Sequence, residues 1–237
     1  MTPPDPSARP NLAQVLDRAL RGQYLDASAA GSAQGAGTTD FLRLAVLLGA
    51  AYGMFVGTYA LFHGGDRAGL QLLSAALKVP ALFALTVLVT FPSLYVFAAL
   101  QRLPLQPGAT LRLLLLSIVV HCAVLASLGP VFAFFSASTD SYAFLKLLNV
   151  LFFAIGGVLG LMVMRRATRT LLGQAELSEA GPALRLWAIV YCLVGAQMGW
   201  LLRPFLGDPQ LPFAVLRPRD GNVLTGLVDT LRQLFGG

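Results

Sequence analysis

The chain has 237 residues, of which 56% are hydrophobic and only 12% are charged. Soluble domains carry about 25% charged residues, so this composition excludes a soluble enzyme, a disordered chain and a secreted disulfide scaffold. The net charge is +6, but no aromatic-basic pattern accompanies it, and we therefore predict no nucleic-acid partner. Cys122 and Cys192 both lie in apolar stretches and form no disulfide framework.

The first predicted element is an arm of residues 1–40, which begins with a proline-rich segment. From Leu12, apolar residues recur every three or four positions, and Arg18 and Arg21 lie among them. This pattern predicts an amphipathic helix, either on the membrane surface or docked on the protein's own loops. The segment Ala27–Thr39 consists almost entirely of Ala, Ser, Gly and Thr, which predicts a flexible linker.

Five uncharged apolar stretches follow, and each is close to the length of about 20 residues that crosses a membrane. They are Leu44–Phe62, Val79–Leu100, Leu113–Phe135, Leu147–Met164 and Leu186–Leu202. We therefore predict an all-α polytopic membrane protein, with a bundle of five transmembrane helices over residues 41–203. The fourth loop, Arg165–Arg185, is expected to begin as a helix and to break at Gly181-Pro182.

Basic residues alternate between the two sides of these stretches. The region before the first stretch and the second and fourth loops contain Arg9, Arg18, Arg21, Arg43, Arg102, Arg112, Arg165, Arg166, Arg169 and Arg185, whereas the first and third loops contain Arg67, Lys78 and Lys146. Because basic loops stay in the cytoplasm, we predict a cytoplasmic N-terminus. The first forty residues show no secretory signal pattern, and the Ala-, Gly- and Arg-rich composition suits a bacterial inner membrane.

The composition of residues 204–237 predicts an ordered extracytoplasmic tail rather than a linker. Phe205, Leu206 and Phe213 need burial, and an apolar stripe over Val223–Phe235 predicts a short helix in the membrane interface. A sixth span is the alternative, although charged residues interrupt every long window of the tail. These are Asp208, Arg217, Arg219, Asp220 and Asp229.

Three of the stretches have glycines at four-residue spacing, which let helix backbones approach closely in lipid. They are Gly49, Gly53 and Gly57 in the first, Gly156 and Gly160 in the fourth, and Gly195 and Gly199 in the fifth. The glycines predict helix packing, either inside one protomer or at a homo-oligomeric interface.

Polar side chains in the spans are few, and Pro80, Pro92 and Pro130 are expected to kink the second and third spans. The candidates for polar contacts or a pore lining are Thr86, Thr90, Ser93, His121, Asn149 and Gln197. No carboxylate lies at membrane depth, and His121 has no second histidine beside it. We therefore predict no catalytic residues, no metal and no cofactor.

Two segments suggest a family. Both occur within the five-span layout. The first is Lys78-Val-Pro-Ala-Leu-Phe with Phe91-Pro-Ser-Leu-Tyr-Val-Phe97, and the second is Gly195-Ala-Gln-Met-Gly-Trp-Leu-Leu-Arg-Pro-Phe205 with 213–219. Over residues 41–203 the chain resembles bacterial multi-pass proteins grouped with the Yip1-like membrane proteins. That resemblance implies a non-enzymatic role in membrane organisation or trafficking, and it transfers no site residues.

Two functions follow from these patterns. The first is a non-catalytic scaffold or assembly subunit of a membrane complex, whose partners are lipids and other membrane chains or copies of itself. The second is a homo-oligomeric channel or carrier for a small solute, lined by the kinked second and third spans.

Overall fold

The computed structural model describes residues 10–24, 36–63, 67–100, 107–207, 213–216, 221 and 223–235. These residues form six helices and no strand: α1 Leu12–Leu20, α2 Thr38–His63, α3 Ala68–Leu100, α4 Pro107–Ser138, α5 Tyr142–Leu201 and α6 Val223–Phe235. The predicted all-helical class is therefore confirmed for this part of the chain.

Four helical segments are long and apolar enough to cross a membrane. They are Thr38–His63, Ala68–Phe97, Pro107–Ser138 and Tyr142–Arg169. The fifth predicted span corresponds to a shorter apolar segment, Arg185–Leu201. The structure thus supports a membrane protein with four such helices, and a fifth crossing stays a prediction.

The first long helix begins earlier than its apolar pattern indicates. α2 starts at Thr38, and Asp40 Oδ2 accepts a hydrogen bond of 2.9 Å from the backbone N–H of Gly37. A carboxylate in the first turn satisfies a free amide and favours the helix dipole. The predicted linker is therefore wrong at its last two residues, and residues 27–35 lie outside the described part.

α5 is helical over 60 residues, yet it folds back on itself. Phe83 stacks on Phe153 with ring centroids 6.1 Å apart, while a Cβ on Gly199 would stand 3.6 Å from the adjacent Leu82. A straight helix would separate Phe153 from Gly199 by roughly 70 Å. Two antiparallel arms are therefore present, and we call Tyr142–Arg169 the first arm and Arg185–Leu201 the second arm.

The reversal lies between Met164 and Trp187, because both residues pack in one cluster with Leu94 and Leu114. The chain is nevertheless helical through Gly181 and Pro182, where the sequence predicted a break. Proline inside a helix removes a backbone donor and bends the helix, but it need not end the helix.

α2 packs against both α3 and α4. The first arm lies along α4, and the second arm lies along α3. Large side chains of α2 and α4 fill the interior, where Tyr52, Val56 and Phe132 are buried. Tyr52 contacts the ring of Phe132 edge to face, with centroids 6.4 Å apart.

α1 is docked on the bundle. Asn11 and Gln14 form a capping box at its start, and Val15 and Ala19 are buried where α1 meets α2 and α4. On the exposed side, Arg21 Nε donates to Asp17 Oδ1 at 2.8 Å, and this bond and the carboxylate charge raise the pKa of Arg21. Of the two sequence interpretations, the described contacts match docking on the protein itself.

The close approach of α2 and α3 generates the first prediction. A Cβ on Gly53 would lie 2.7 Å from Ala76 Cα and would also clash with the Ala75 carbonyl. We expect Gly53→Ala to lower the free energy of unfolding by about 1 to 3 kcal/mol, because two backbones must separate. Thermal unfolding of the protein in mild detergent measures the change.

The control is Gly69→Ala, at the start of α3, where the added methyl meets no atom within 4 Å. Since alanine is the better helix former, we expect Gly69→Ala to leave stability unchanged or slightly raised. Equal melting temperatures for the two variants would contradict the prediction that the α2–α3 backbone contact stabilises the fold.

Candidate functional site

Three hydroxyl groups in the C-terminal half of α3 bond within their own helix. Thr86 donates to the carbonyl of Leu82, and Thr90 donates to that of Thr86, both at 2.7 Å. Ser93 donates in turn to the carbonyl of Thr90 at 2.7 Å. Bonds of this kind satisfy a hydroxyl in apolar surroundings, so none of the three protons is directed at a pathway between helices.

Thr90 also connects α3 to the second arm. Its carbonyl accepts a hydrogen bond of 3.2 Å from Trp187 Nε1, and Trp187 is fully buried. A buried tryptophan usually donates its indole N–H to a hydrogen-bond acceptor. This bond fixes the second arm against α3 at the end where Leu94 and Leu114 pack.

His121 lies in an aromatic layer at the middle of the bundle. Its ring centroid is 4.8 Å from that of Phe83 and 5.9 Å from that of Phe153. Its Nε2 is buried and has no hydrogen-bond partner among the described residues. The ring also fills the space that a side chain on Gly156 would need. The structure therefore places His121 as a packing group, with no hydrogen bond from Nε2 to a neighbouring helix.

Asn149 and Gln197 occupy different environments. Asn149 Oδ1 accepts a hydrogen bond of 2.8 Å from the Tyr52 hydroxyl, which ties the first arm to α2. Gln197 lies on the second arm with its side chain exposed. The six polar candidates thus divide between α3's own backbone, the aromatic layer, an interhelical bond and the surface, and they do not meet at one place.

The seven predicted packing glycines all lie near another helix of the same chain. Gly49, Gly53 and Gly57 face Pro80, Ala76 and Leu72 of α3, with Cβ positions within 3.4 Å of them. Gly156 and Gly160 face His121 and Ser117 of α4, and Ser117 Oγ donates to the Gly160 carbonyl at 2.7 Å. Gly195 and Gly199 face Thr86 and Leu82. These are contacts inside one protomer.

A polar site that the sequence patterns missed joins α3 to the segment after the second arm. Lys78 is only 4% exposed, and its Nζ donates to the Pro204 carbonyl at 2.6 Å. Gln71 Nε2 donates to the carbonyls of Pro204 and Phe205 at 3.2 and 2.9 Å. Two side chains on one face of α3 therefore satisfy consecutive carbonyls of a non-helical segment. We call Lys78, Gln71 and residues 203–207 the carbonyl clasp.

The position of Lys78 suits a buried cation. The second arm ends at Leu201, so the ammonium lies just beyond a helix C-terminus, where the macrodipole favours positive charge. A non-helical backbone in apolar surroundings leaves carbonyls without partners, and each such group costs several kcal/mol. The charged Lys78 ammonium stabilises such a carbonyl well, since hydrogen bonds to charged groups are stronger than those between neutral groups.

The rest of the clasp fits closely against the bundle. Gly207 has φ +77° and lies against Gln71 and Ala60, so a side chain there would be strained and crowded. Leu206 is buried. The Arg203 guanidinium lies 3.5 Å from the centroid of the Trp200 ring, and Trp200 in turn covers Gly226 of α6. The first part of the predicted tail is therefore ordered against α2 and α3, and α6 is connected to it through Trp200.

Sequence reasoning treated Lys78 as a residue marking the edge of a span, because its partner lies 126 positions away. The available signal was a single lysine inside a longer apolar run, residues 68–100, since no other charge occurs there. Among the described residues, no group of three His, Cys, Asp or Glu side chains is placed to hold a metal ion.

The chain matches no protein family, no curated protein and no solved structure. The fold and the clasp must therefore be interpreted from their own geometry.

The clasp generates the second prediction. We expect Lys78→Met to lower the free energy of unfolding by about 1 to 3 kcal/mol, because the Pro204 carbonyl loses a charged donor. The segment after Leu201 should also become accessible to protease. Thermal unfolding and limited proteolysis with mass detection of the cut site measure both effects.

The control is Arg67→Met, which removes a positive charge from an exposed position near the start of α3. Exposed substitutions usually change stability by no more than about 0.5 kcal/mol. If Lys78→Met behaved like Arg67→Met in both assays, the buried ammonium would not be what holds the segment in place.

Proposed function

We propose that the protein is a non-catalytic scaffold or assembly subunit within a membrane. The observation that carries this proposal is the fate of the interior polar groups. Thr86, Thr90 and Ser93 bond within α3, Asn149 bonds with Tyr52, and Gln71 and Lys78 bond with the clasp. A bundle that engages these polar groups within and between its own helices is suited to present a fixed surface to other chains.

We further propose that residues 185–207 make a fifth crossing in two parts. The second arm runs from Trp187, packed near Met164, to Leu201, and residues 203–207 continue to Ala60 near the end of α2. The helical part alone is about 25 Å long, close to the thickness of the hydrocarbon core, which is about 30 Å. The non-helical part supplies the missing length, and α3 donates to its Pro204 and Phe205 carbonyls.

The proposed orientation has the N-terminus in the cytoplasm of a bacterial inner membrane. Arg112 lies over the ring of Phe41, at the end of the bundle where α2 begins. Lys146 lies over Tyr142, and Tyr142 packs against Tyr59 near the opposite end of α2. The arginine-rich end would be cytoplasmic by the positive-inside rule. The resemblance to Yip1-like proteins agrees with a role in membrane organisation.

A channel or carrier is the second candidate, and the clasp is the observation that favours it. Non-helical backbone at membrane depth and helix ends inside a bundle are common at ion and substrate sites of transporters. Here a lysine ammonium occupies the position beside the carbonyls that a transported cation would take. In a carrier, Lys78 would have to leave that position during each cycle.

Native mass spectrometry of the protein, purified from its own membranes in mild detergent, tests the proposed function. We expect a stoichiometric second kind of chain, because a scaffold is isolated with what it assembles. Liposomes containing the purified protein should show no more solute flux than empty liposomes.

The opposite result is a protein without foreign chains that conducts ions or solutes. Flux lost in Lys78→Met, but kept in Arg67→Met, would replace the scaffold with the carrier. Flux that depends on neither residue would still contradict the scaffold and would direct attention to a pathway outside the clasp.

A further inference from the structure

The first arm has an exposed apolar side, which we call the outer face. Four exposed apolar residues recur there at spacings of three and four positions, which places them on one side of a helix. They are Leu151, Ile155, Val158 and Met162. The opposite side of the arm packs on α4 through Gly156 and Gly160. The arm is one of the four helical segments long and apolar enough to cross a membrane, so its outer face is suited to contact acyl chains.

The outer face ends in arginines. Arg165 and Arg169 follow Met162 by three and seven positions, so the same helical spacing continues through them. Both arginines are exposed, whereas Ala167 between them is buried. Neither forms a hydrogen bond or an ion pair with the residues that the structure describes. Arg166 is also exposed and adds a third positive charge beside them.

The charge at this end of the arm suits an anionic headgroup. The sequence of Tyr142–Arg169 contains four cationic residues and no Asp or Glu. Its three arginines fall in the last five positions, where a membrane helix meets the headgroups. A guanidinium binds phosphate through two parallel hydrogen bonds. A zwitterionic headgroup would bring an ammonium for which this segment has no carboxylate, whereas an anionic headgroup brings only the phosphate charge.

The length of the outer face matches one leaflet of a bilayer. The rise along a helix from Ile155 to Arg165 is about 15 Å, and half of the hydrocarbon core is also about 15 Å thick. A phosphate at the arginines therefore leaves an acyl chain to lie along Met162 and Val158 as far as the bilayer midplane. A free phosphate ion would contact the arginines alone, whereas a phospholipid contacts the arginines and the apolar surface together.

We propose that the outer face of the first arm binds one anionic phospholipid. Arg165 and Arg169 hold its phosphate, and one acyl chain lies along Met162, Val158 and Ile155. This inference goes beyond the proposed function, because a scaffold and a carrier would both accommodate such a lipid. It also holds whichever side of the membrane the arginines occupy.

Photo-cross-linking in liposomes tests the proposal. The probe is a phosphatidylglycerol with a photoreactive group in its acyl chain, diluted in phosphatidylcholine. We expect the label on the peptide that contains Val158 and Met162. Unlabelled phosphatidylglycerol should displace the probe, and extra phosphatidylcholine should not. Displacement by inorganic phosphate would contradict the proposal, because the arginines would then hold a soluble anion.

Arg165→Gln and Arg169→Gln should each lower the labelling of this peptide by about fivefold, which is the contribution of one arginine near an anionic membrane surface. The matched control is Arg43→Gln, which removes the same charge from an exposed position near the start of α2, one turn before the exposed Leu47. It should leave labelling of the first arm nearly unchanged. All three substitutions are at exposed positions, so the melting temperatures should stay close to that of the parent.

Three results would overturn the proposal: label spread evenly over the four long helices, equal displacement by phosphatidylcholine, or labelling unchanged when Arg165→Gln and Arg169→Gln are combined. An equal loss in Arg43→Gln would also overturn it, because labelling would then follow the total charge of the protein rather than this face. None of these results depends on whether a foreign chain is isolated with the protein, so this inference and the scaffold function fail separately.

Discussion

Unsatisfied backbone carbonyls in apolar surroundings are the constraint on which the carbonyl clasp and the path of the chain depend. The long helices satisfy most of their own carbonyls, but the segment after Leu201 leaves helical geometry between α2 and α3. Lys78 and Gln71 resolve this by donating to the Pro204 and Phe205 carbonyls. Without these donors, the segment would have to continue as a helix or move to the surface. The position of α6 depends on the same contact, because Trp200 and Arg203 connect the clasp to the tail.

The interior shows two ways of holding helices together without water. Where α2 meets α3, Gly53 and Gly57 remove side chains so that backbones touch. Where the first arm meets α2 and α4, single hydrogen bonds cross the interface, from Tyr52 to Asn149 and from Ser117 to Gly160. Close contact supplies van der Waals attraction, and the bonds fix how far each helix slides and turns. A bundle fixed in both respects has a definite outer surface.

The sequence predicted the class of fold because that class depends on composition and on the lengths of uncharged runs. Gly53 and Gly160 were recognisable from their spacing, but which helix each one faces depends on rotation about the helix axis, which no periodicity specifies. The charges at Arg165 and Arg185 indicated that the chain reverses within α5. The sequence did not indicate that the helix continues across Gly181-Pro182. Lys78 was misjudged for a different reason. Its role depends on a carbonyl far along the chain. The sequence pattern of a lone charge near the edge of a span is the same whether the side chain meets lipid headgroups or a buried backbone.

The contrast between Asn149 and Gln197 bears on function more than either residue alone. Both are amides on apolar helices, and the chain provides Tyr52 for one and no described partner for the other. A pore would require amides and hydroxyls to line a common path, yet Thr86 and Thr90 bond within α3 and Gln197 faces outward. The amide of Gln197 is exposed on the outer side of the second arm, so it does not line a path between the helices of the bundle.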